Sequence, residues 1–120
     1  MSDFDPRNDA LESPGAVLDR LFDVIEGRRH GDPTTSHTAK LFQKGTRKIA
    51  QKMGEEAVEV VIEAVRGKRE RLIAESADLM YHLLVLWADA HLKPADIWAE
   101  LARREGVSGF VHKQRDESVK

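Results

Sequence analysis

The chain has 120 residues, no cysteine and a formal net charge of −2. That length makes one domain with a small but real core, and the near-zero charge excludes a global field that would recruit nucleic acid or an acidic membrane surface. Without cysteine there is no disulfide and no thiolate metal site, which fits a cytoplasmic setting.

Residues 1–13 are polar and lack the basic and apolar regions of a signal peptide, so they are read as a mobile segment. Ser13-Pro14 offers an N-cap followed by proline at the first helical position. The helix it opens carries Val17, Leu18, Leu21, Phe22 and Ile25 at helical spacing and ends near Gly27 to Gly31. A loop over residues 31–35 leads to Ser36, which caps a short helix containing Ala39, Leu41 and Phe42 that Gly45 interrupts.

Residues 46–66 form the first major helix, stopped by Gly67. Gly54 inside it costs about 1 kcal/mol relative to alanine, which close approach of another backbone or a ligand would explain. Residues 69–91 form the second major helix, whose most apolar stretch is interrupted by His82 and Asp89 and is too short to span a bilayer. Pro94 starts a last helix with Ile97, Trp98 and Leu101 on its apolar face. Glycine and charge dominate from Gly106, so residues 107–120 are read as a mobile tail. No strand alternation appears, and the class is all-α: a bundle of four to five helices over residues 14–106.

Two carboxylate clusters stand out, Glu55-Glu56-x-x-Glu59 and Glu75-x-x-Asp78. Three-residue spacing puts Glu56 with Glu59, and Glu75 with Asp78, on one face of each helix. An isolated pair of this kind is ordinarily a solvated face. Two pairs on mostly apolar helices repel one another and resist desolvation unless a cation joins them. Hard oxygen ligands suit Mg²⁺, with Mn²⁺ as the variant. Upstream, Lys44, Lys48 and Lys52 step by four onto the stripe of Glu56 and Glu59, so one helix face changes from basic to acidic; Lys40 adds to the run. On spacing alone the lysine run reads equally as a solvated helix face; beside a magnesium site it suits a polyphosphate, with hydrolysis by an activated water as the simplest chemistry. No P-loop sequence is present.

Other polar residues have plainer readings. Glu63 reads as a solvated charge partner near Arg66 and Lys68, and His82 as a hydrogen-bonded core histidine. Tyr81, Trp87 and Trp98 read as core or interface aromatics. The second major helix is apolar almost all round from Leu79 to Trp87, and Ala57–Val65 adds a wide apolar surface. One short chain cannot cover both, so a homodimer is expected.

With these residues in place the chain resembles the MazG-like all-α NTP pyrophosphatases, through E-E-x-x-E followed by E-x-x-D. Within them, the segments TSHTAKLFQKGTRKIAQKMGEEAVEVVIEA and ESADLMYHLLVLW are similar to the phosphoribosyl-ATP pyrophosphohydrolase family. His37 departs from the tyrosine common in that family. The absence of a cysteine-bearing cyclohydrolase segment matches the stand-alone form. The resemblance implies cleavage of the α–β phosphoanhydride of a nucleotide substrate, phosphoribosyl-ATP, in histidine biosynthesis. It also implies Mg²⁺ on Glu56, Glu59, Glu75 and Asp78, and a bundle completed by a second subunit near the site. Glu55 then binds a further metal or positions the attacking water, with Glu59 as the alternative base. A house-cleaning nucleotide pyrophosphatase with the same metal site, and a non-enzymatic helical dimerisation module, stand as the other readings. The module predicts no stabilisation by divalent cations.

Overall fold

A computed structural model of the chain describes residues 13–106, and the expected mobile ends, Ser13 apart, lie outside them. Five helices follow in order: α1 Ala16–Gly27, α2 His37–Lys44, α3 Thr46–Arg66, α4 Arg69–Asp89 and α5 Pro94–Glu105. No strand occurs among the described residues, and the all-α class holds.

The helix boundaries follow from local chemistry. Ser36 caps α2 as expected, its Oγ accepting the Ala39 N–H at 3.0 Å. Gly45, at φ 93°, lets the chain turn directly from α2 into α3, a conformation that strains a residue with a Cβ. Gly67, at φ 72°, ends α3 in the left-handed conformation, and the Lys68 N–H reaches back to the Glu63 carbonyl at 3.2 Å. Two boundaries differ from the expectation. Ser13 does not cap α1: the helix starts at Ala16 after a turn in which the Ala16 N–H bonds the Ser13 carbonyl. The second major helix stops at Asp89, because the chain reverses at His91, at φ 61°.

With only Gly67 and Lys68 between them, α3 and α4 form an antiparallel hairpin. Its register is pinned at both ends. Near the open end the Thr46 hydroxyl donates to Asp89 Oδ2 at 2.6 Å, and near the tip Arg71 Nε donates to Glu63 Oε2 at 3.2 Å. The same register sets Lys52 opposite His82, Glu56 opposite Asp78 and Glu59 opposite Glu75. Helical rise spreads this seam over about 26 Å.

The core fills only the open-end half of the hairpin. Phe22 and Ile25 of α1, Leu41 of α2, Ile49 of α3 and Leu84, Val85 and Ala88 of α4 form one buried cluster. Arg29 ties the end of α1 to α4, donating to the Ala88 carbonyl at 2.7 Å with its guanidinium over the Phe42 ring. Trp98 brings α5 edge-on to Trp87. Towards the tip, Val58, Val61, Ile62, Val65 and Ile73 stay exposed, Val65 at 82%.

Leu84 has no exposed surface in this cluster. Leu84→Ala is expected to lower unfolding stability by about 2–5 kcal/mol, read from denaturant midpoints at unchanged slope.

Candidate functional site

The seam register brings the acids together. Ligand oxygens of Glu56, Glu75 and Asp78 all lie within 4.8 Å of one another. Glu56 and Glu75 are part-buried and Asp78 is exposed, so the cluster opens to one side. The Glu75 carboxyl is pushed above its ordinary range, first by desolvation, then by the charges of Glu56, Asp78 and Glu59. The structure therefore places Glu59 within electrostatic reach of the cluster, although its oxygens are outside the converging three. The nearest cation is Lys52, whose Nζ stands 3.8 Å from both Glu55 and Glu56, too long for a tight ion pair. Three convergent carboxylates with one weakly held counter-charge fit a hard divalent cation.

Glu55 points away from this convergence. It accepts from Gln51 Nε2 at 2.9 Å, and that bond first, with Lys52 and Lys48 adding, holds its carboxyl below the ordinary range. It lines a cavity of about 190 Å³ with His37, Leu41, Lys44, Lys48, Gln51 and Lys52. Three of the four lysines singled out thus share one cavity. Lys40 is not on its wall, but its charge, with those of Lys44 and Lys52, reaches His37. The His37 imidazole is driven below its ordinary range by desolvation first, then by His82 and these lysines.

One sequence reading changes here. Glu63 is not solvated: it is 2% exposed, held by Arg71 at 3.2 Å and Arg66 at 3.6 Å, and its Oε1 has no partner among the described residues. Among the described residues nothing closely approaches Gly54, where a Cβ would meet no atom within 4 Å. His82 is the hydrogen-bonded, buried histidine expected, its Nδ1 2.9 Å from the Asp78 carbonyl.

Sequence reasoning missed the aromatic group beside the cavity. His37 stacks on Tyr81 and stands edge-on to His82, and the Tyr81 hydroxyl bonds Thr38. The signal was present: His37, Leu41 and Lys44 fall at i, i+4 and i+7, one face of α2.

Convergent carboxylates on a two-helix seam, beside a lysine-lined cavity, define an all-α protein fitted to polyphosphate chemistry. Comparison with known proteins narrows the class. The family model for phosphoribosyl-ATP pyrophosphohydrolase matches residues 18–105. A phosphoribosyl-ATP pyrophosphatase of Azospirillum brasilense is 61% identical over 103 residues, covering 86% of this chain and 93% of the relative. The protein of that name from Gluconobacter oxydans is 58% identical over 97 residues, covering 81% and 73%. That from Parvibaculum lavamentivorans is 56% identical over 103 residues, covering 86% and 94%. The chain belongs to the phosphoribosyl-ATP pyrophosphohydrolase family, and is a hydrolase.

The crowding at Glu75 has a measurable sign. Its folded carboxyl titrates above the reference value of 4.5, so the folded chain holds that proton more tightly. The resulting penalty is full above the folded pKa and fades as pH falls through it. Glu56→Gln is therefore expected to raise the metal-free melting midpoint at about pH 7, with the gain shrinking towards about pH 4. A lowered midpoint at neutral pH would show that the crowding is not what limits this region.

Proposed function

We propose that this chain hydrolyses the α–β phosphoanhydride of phosphoribosyl-ATP to phosphoribosyl-AMP and pyrophosphate, in the histidine-biosynthetic role of its family. The observation that carries the reading is the convergence of Glu56, Glu75 and Asp78 beside the lysine cavity. The relatives' names favour this substrate over that of a house-cleaning nucleotide pyrophosphatase, which the acid motif alone leaves open.

In this reading Glu56, Glu75 and Asp78, with Glu59 completing the set, hold Mg²⁺, or Mn²⁺ in its place. Bound there, the ion neutralises phosphoryl oxygens and lowers the pKa of water. The chain's own residues do the rest. Lys44, Lys48 and Lys52, with Lys40 at the edge, hold phosphate oxygens of the substrate beside the acid seam. Water adds to a phosphorus of the anhydride, the bridging oxygen leaves with the departing phosphate, and a carboxylate takes the water's proton. Of the two candidate bases, Glu55 is held below its ordinary range by Gln51 and the lysines, which makes it the poorer proton acceptor. Glu59, beside the cluster, is the alternative base, and Glu55 stands 3.8 Å from Lys52, where it positions the attacking water.

Assembly belongs to the same reading. The acid rungs sit where the covered half of the hairpin gives way to the bare one, with Val58, Val61, Ile62 and Val65 exposed beyond them. A second copy packed on that face would bury the apolar stripe and wall the site. No helix among the described residues is long and apolar enough to cross a membrane, which fits a cytoplasmic biosynthetic hydrolase.

Asp78→Asn is expected to abolish pyrophosphate release from phosphoribosyl-ATP while leaving the helical circular-dichroism spectrum unchanged. Near wild-type turnover in Mg²⁺ would refute the assigned site. Mg²⁺ is also expected to raise the wild-type melting midpoint, through binding to the folded state alone. For assembly, sedimentation at micromolar concentration is expected to give a dimer, and Val61→Asp to shift it towards monomer. A stable wild-type monomer would overturn the dimer.

A further inference from the structure

The lysine cavity and the buried histidine beside it together say which end of the substrate they receive. His82 is 6% exposed, and its Nδ1 lies 2.9 Å from the Asp78 carbonyl oxygen. A carbonyl can only accept, so Nδ1 carries the hydrogen, and in the neutral ring Nε2 is left as a bare lone pair. Nε2 is buried and has no hydrogen-bond partner among the described residues. A buried acceptor left unsatisfied is destabilising, and it selects for a ligand group that can donate. Around it stand the rings of Tyr81 and His37, at centroid distances of 4.9 and 6.2 Å. The Tyr81 hydroxyl is already engaged by Thr38. His37, exposed at the first position of α2, borders both His82 and the cavity.

The proposed substrate is anionic at both ends, with a triphosphate on one ribose and a monophosphate on the other. Pyrophosphate oxygens at neutral pH are chiefly acceptors, so placing that group against the Nε2 lone pair would set acceptor against acceptor. A sugar hydroxyl or a base N–H satisfies it. Lysines next to an acceptor that lacks a donor therefore match a sugar phosphate better than pyrophosphate.

Resting on the reaction proposed above, we infer that the phosphoribosyl end of the substrate, retained in phosphoribosyl-AMP, occupies this cavity. His82 Nε2 accepts a hydrogen bond from its sugar or base as the His37 ring swings aside, and Lys44 and Lys48 hold its terminal monophosphate. The pyrophosphate half lies outside the cavity, on the far side of the acid rungs. His82 and the lysines thereby read the phosphoribosyl group, and they set the direction in which the substrate lies along the seam.

Product inhibition separates the two halves. His82→Asn keeps an amide N–H where Nδ1 donates to Asp78 and deletes the Nε2 acceptor. Lys48→Met removes one exposed charge while leaving helix propensity nearly unchanged. In each variant, inhibition by phosphoribosyl-AMP is expected to weaken at least roughly fivefold, while inhibition by pyrophosphate in Mg²⁺ stays within about twofold of wild type. A weakening confined to pyrophosphate, an equal weakening of both, or no change in either would overturn the assignment. If His82→Asn does not fold, Lys48→Met decides alone. Failure of the underlying reaction shows separately, as absence of pyrophosphate release from phosphoribosyl-ATP by the wild-type chain.

Discussion

The antiparallel register of α3 against α4 is the constraint on which everything else depends. A polar seam runs down the hairpin, and only one alignment sets Glu56 against Asp78, Glu63 against Arg71 and Thr46 against Asp89. Slipping one helix by a residue turns its side chains by about 100° and scatters the carboxylates over different faces. The link of Gly67 and Lys68 leaves no slack for such a slip, because the Lys68 N–H is already tied to the Glu63 carbonyl. The ends of the seam carry attractive contacts and the middle carries repulsive ones. The ends therefore hold in place what the middle would push apart.

That division explains why the packing is uneven. The buried cluster of α1, α2, α3 and α4 clamps the open end of the hairpin, while Glu63 and Arg71 clamp it near the tip. Glu63 is nearly inaccessible, so losing Arg71 would leave this buried carboxylate with only the longer Arg66 contact at 3.6 Å, a greater loss than that of an exposed ion pair. Between the clamps, the Glu75 carboxyl is raised first by desolvation and then by the charges of Glu56, Asp78 and Glu59, which packing elsewhere holds beside it. Such strain in a protein that is marginally stable overall belongs where a ligand removes it.

Much of this was legible in the residues. The helix limits came from Ser36, Gly45, Gly67 and Pro94, each a local signal that tertiary context did not override. The acid stripes followed from helical spacing, and spacing also put Lys48 and Lys52 on one face of α3; Lys44 does not continue that stripe, because Gly45 at φ 93° breaks the helix, and it reaches the same cavity from the end of α2. Spacing could not tell that Glu55 turns towards the lysines, because neighbouring acids on a helix differ by a rotation whose outcome depends on what packs alongside. It could not show Glu63 as buried either, since that depends on α4 lying across it. The start of α1 failed for a different reason: Ser13-Pro14 is a sound start signal, but Pro14 and Gly15 made a preliminary turn and the helix began two residues later.

Gly54 is the remaining test of consistency between sequence and structure. Glycine inside a helix is unfavourable by about 1 kcal/mol relative to alanine, and nothing among the described residues uses the space it leaves. Its position on the wheel is informative. Gly54, Val58, Val61 and Val65 recur at i, i+4, i+7 and i+11, one face of α3, and the three valines are exposed. The glycine therefore begins the same stripe that the described residues leave uncovered, one residue before the first acid. A surface of bare valines and a missing Cβ share the geometry that close packing by a second copy, as proposed above, would use. A second copy laid on this stripe would bury the valines, use the gap at Gly54, and bring its own backbone to the edge of the carboxylate cluster.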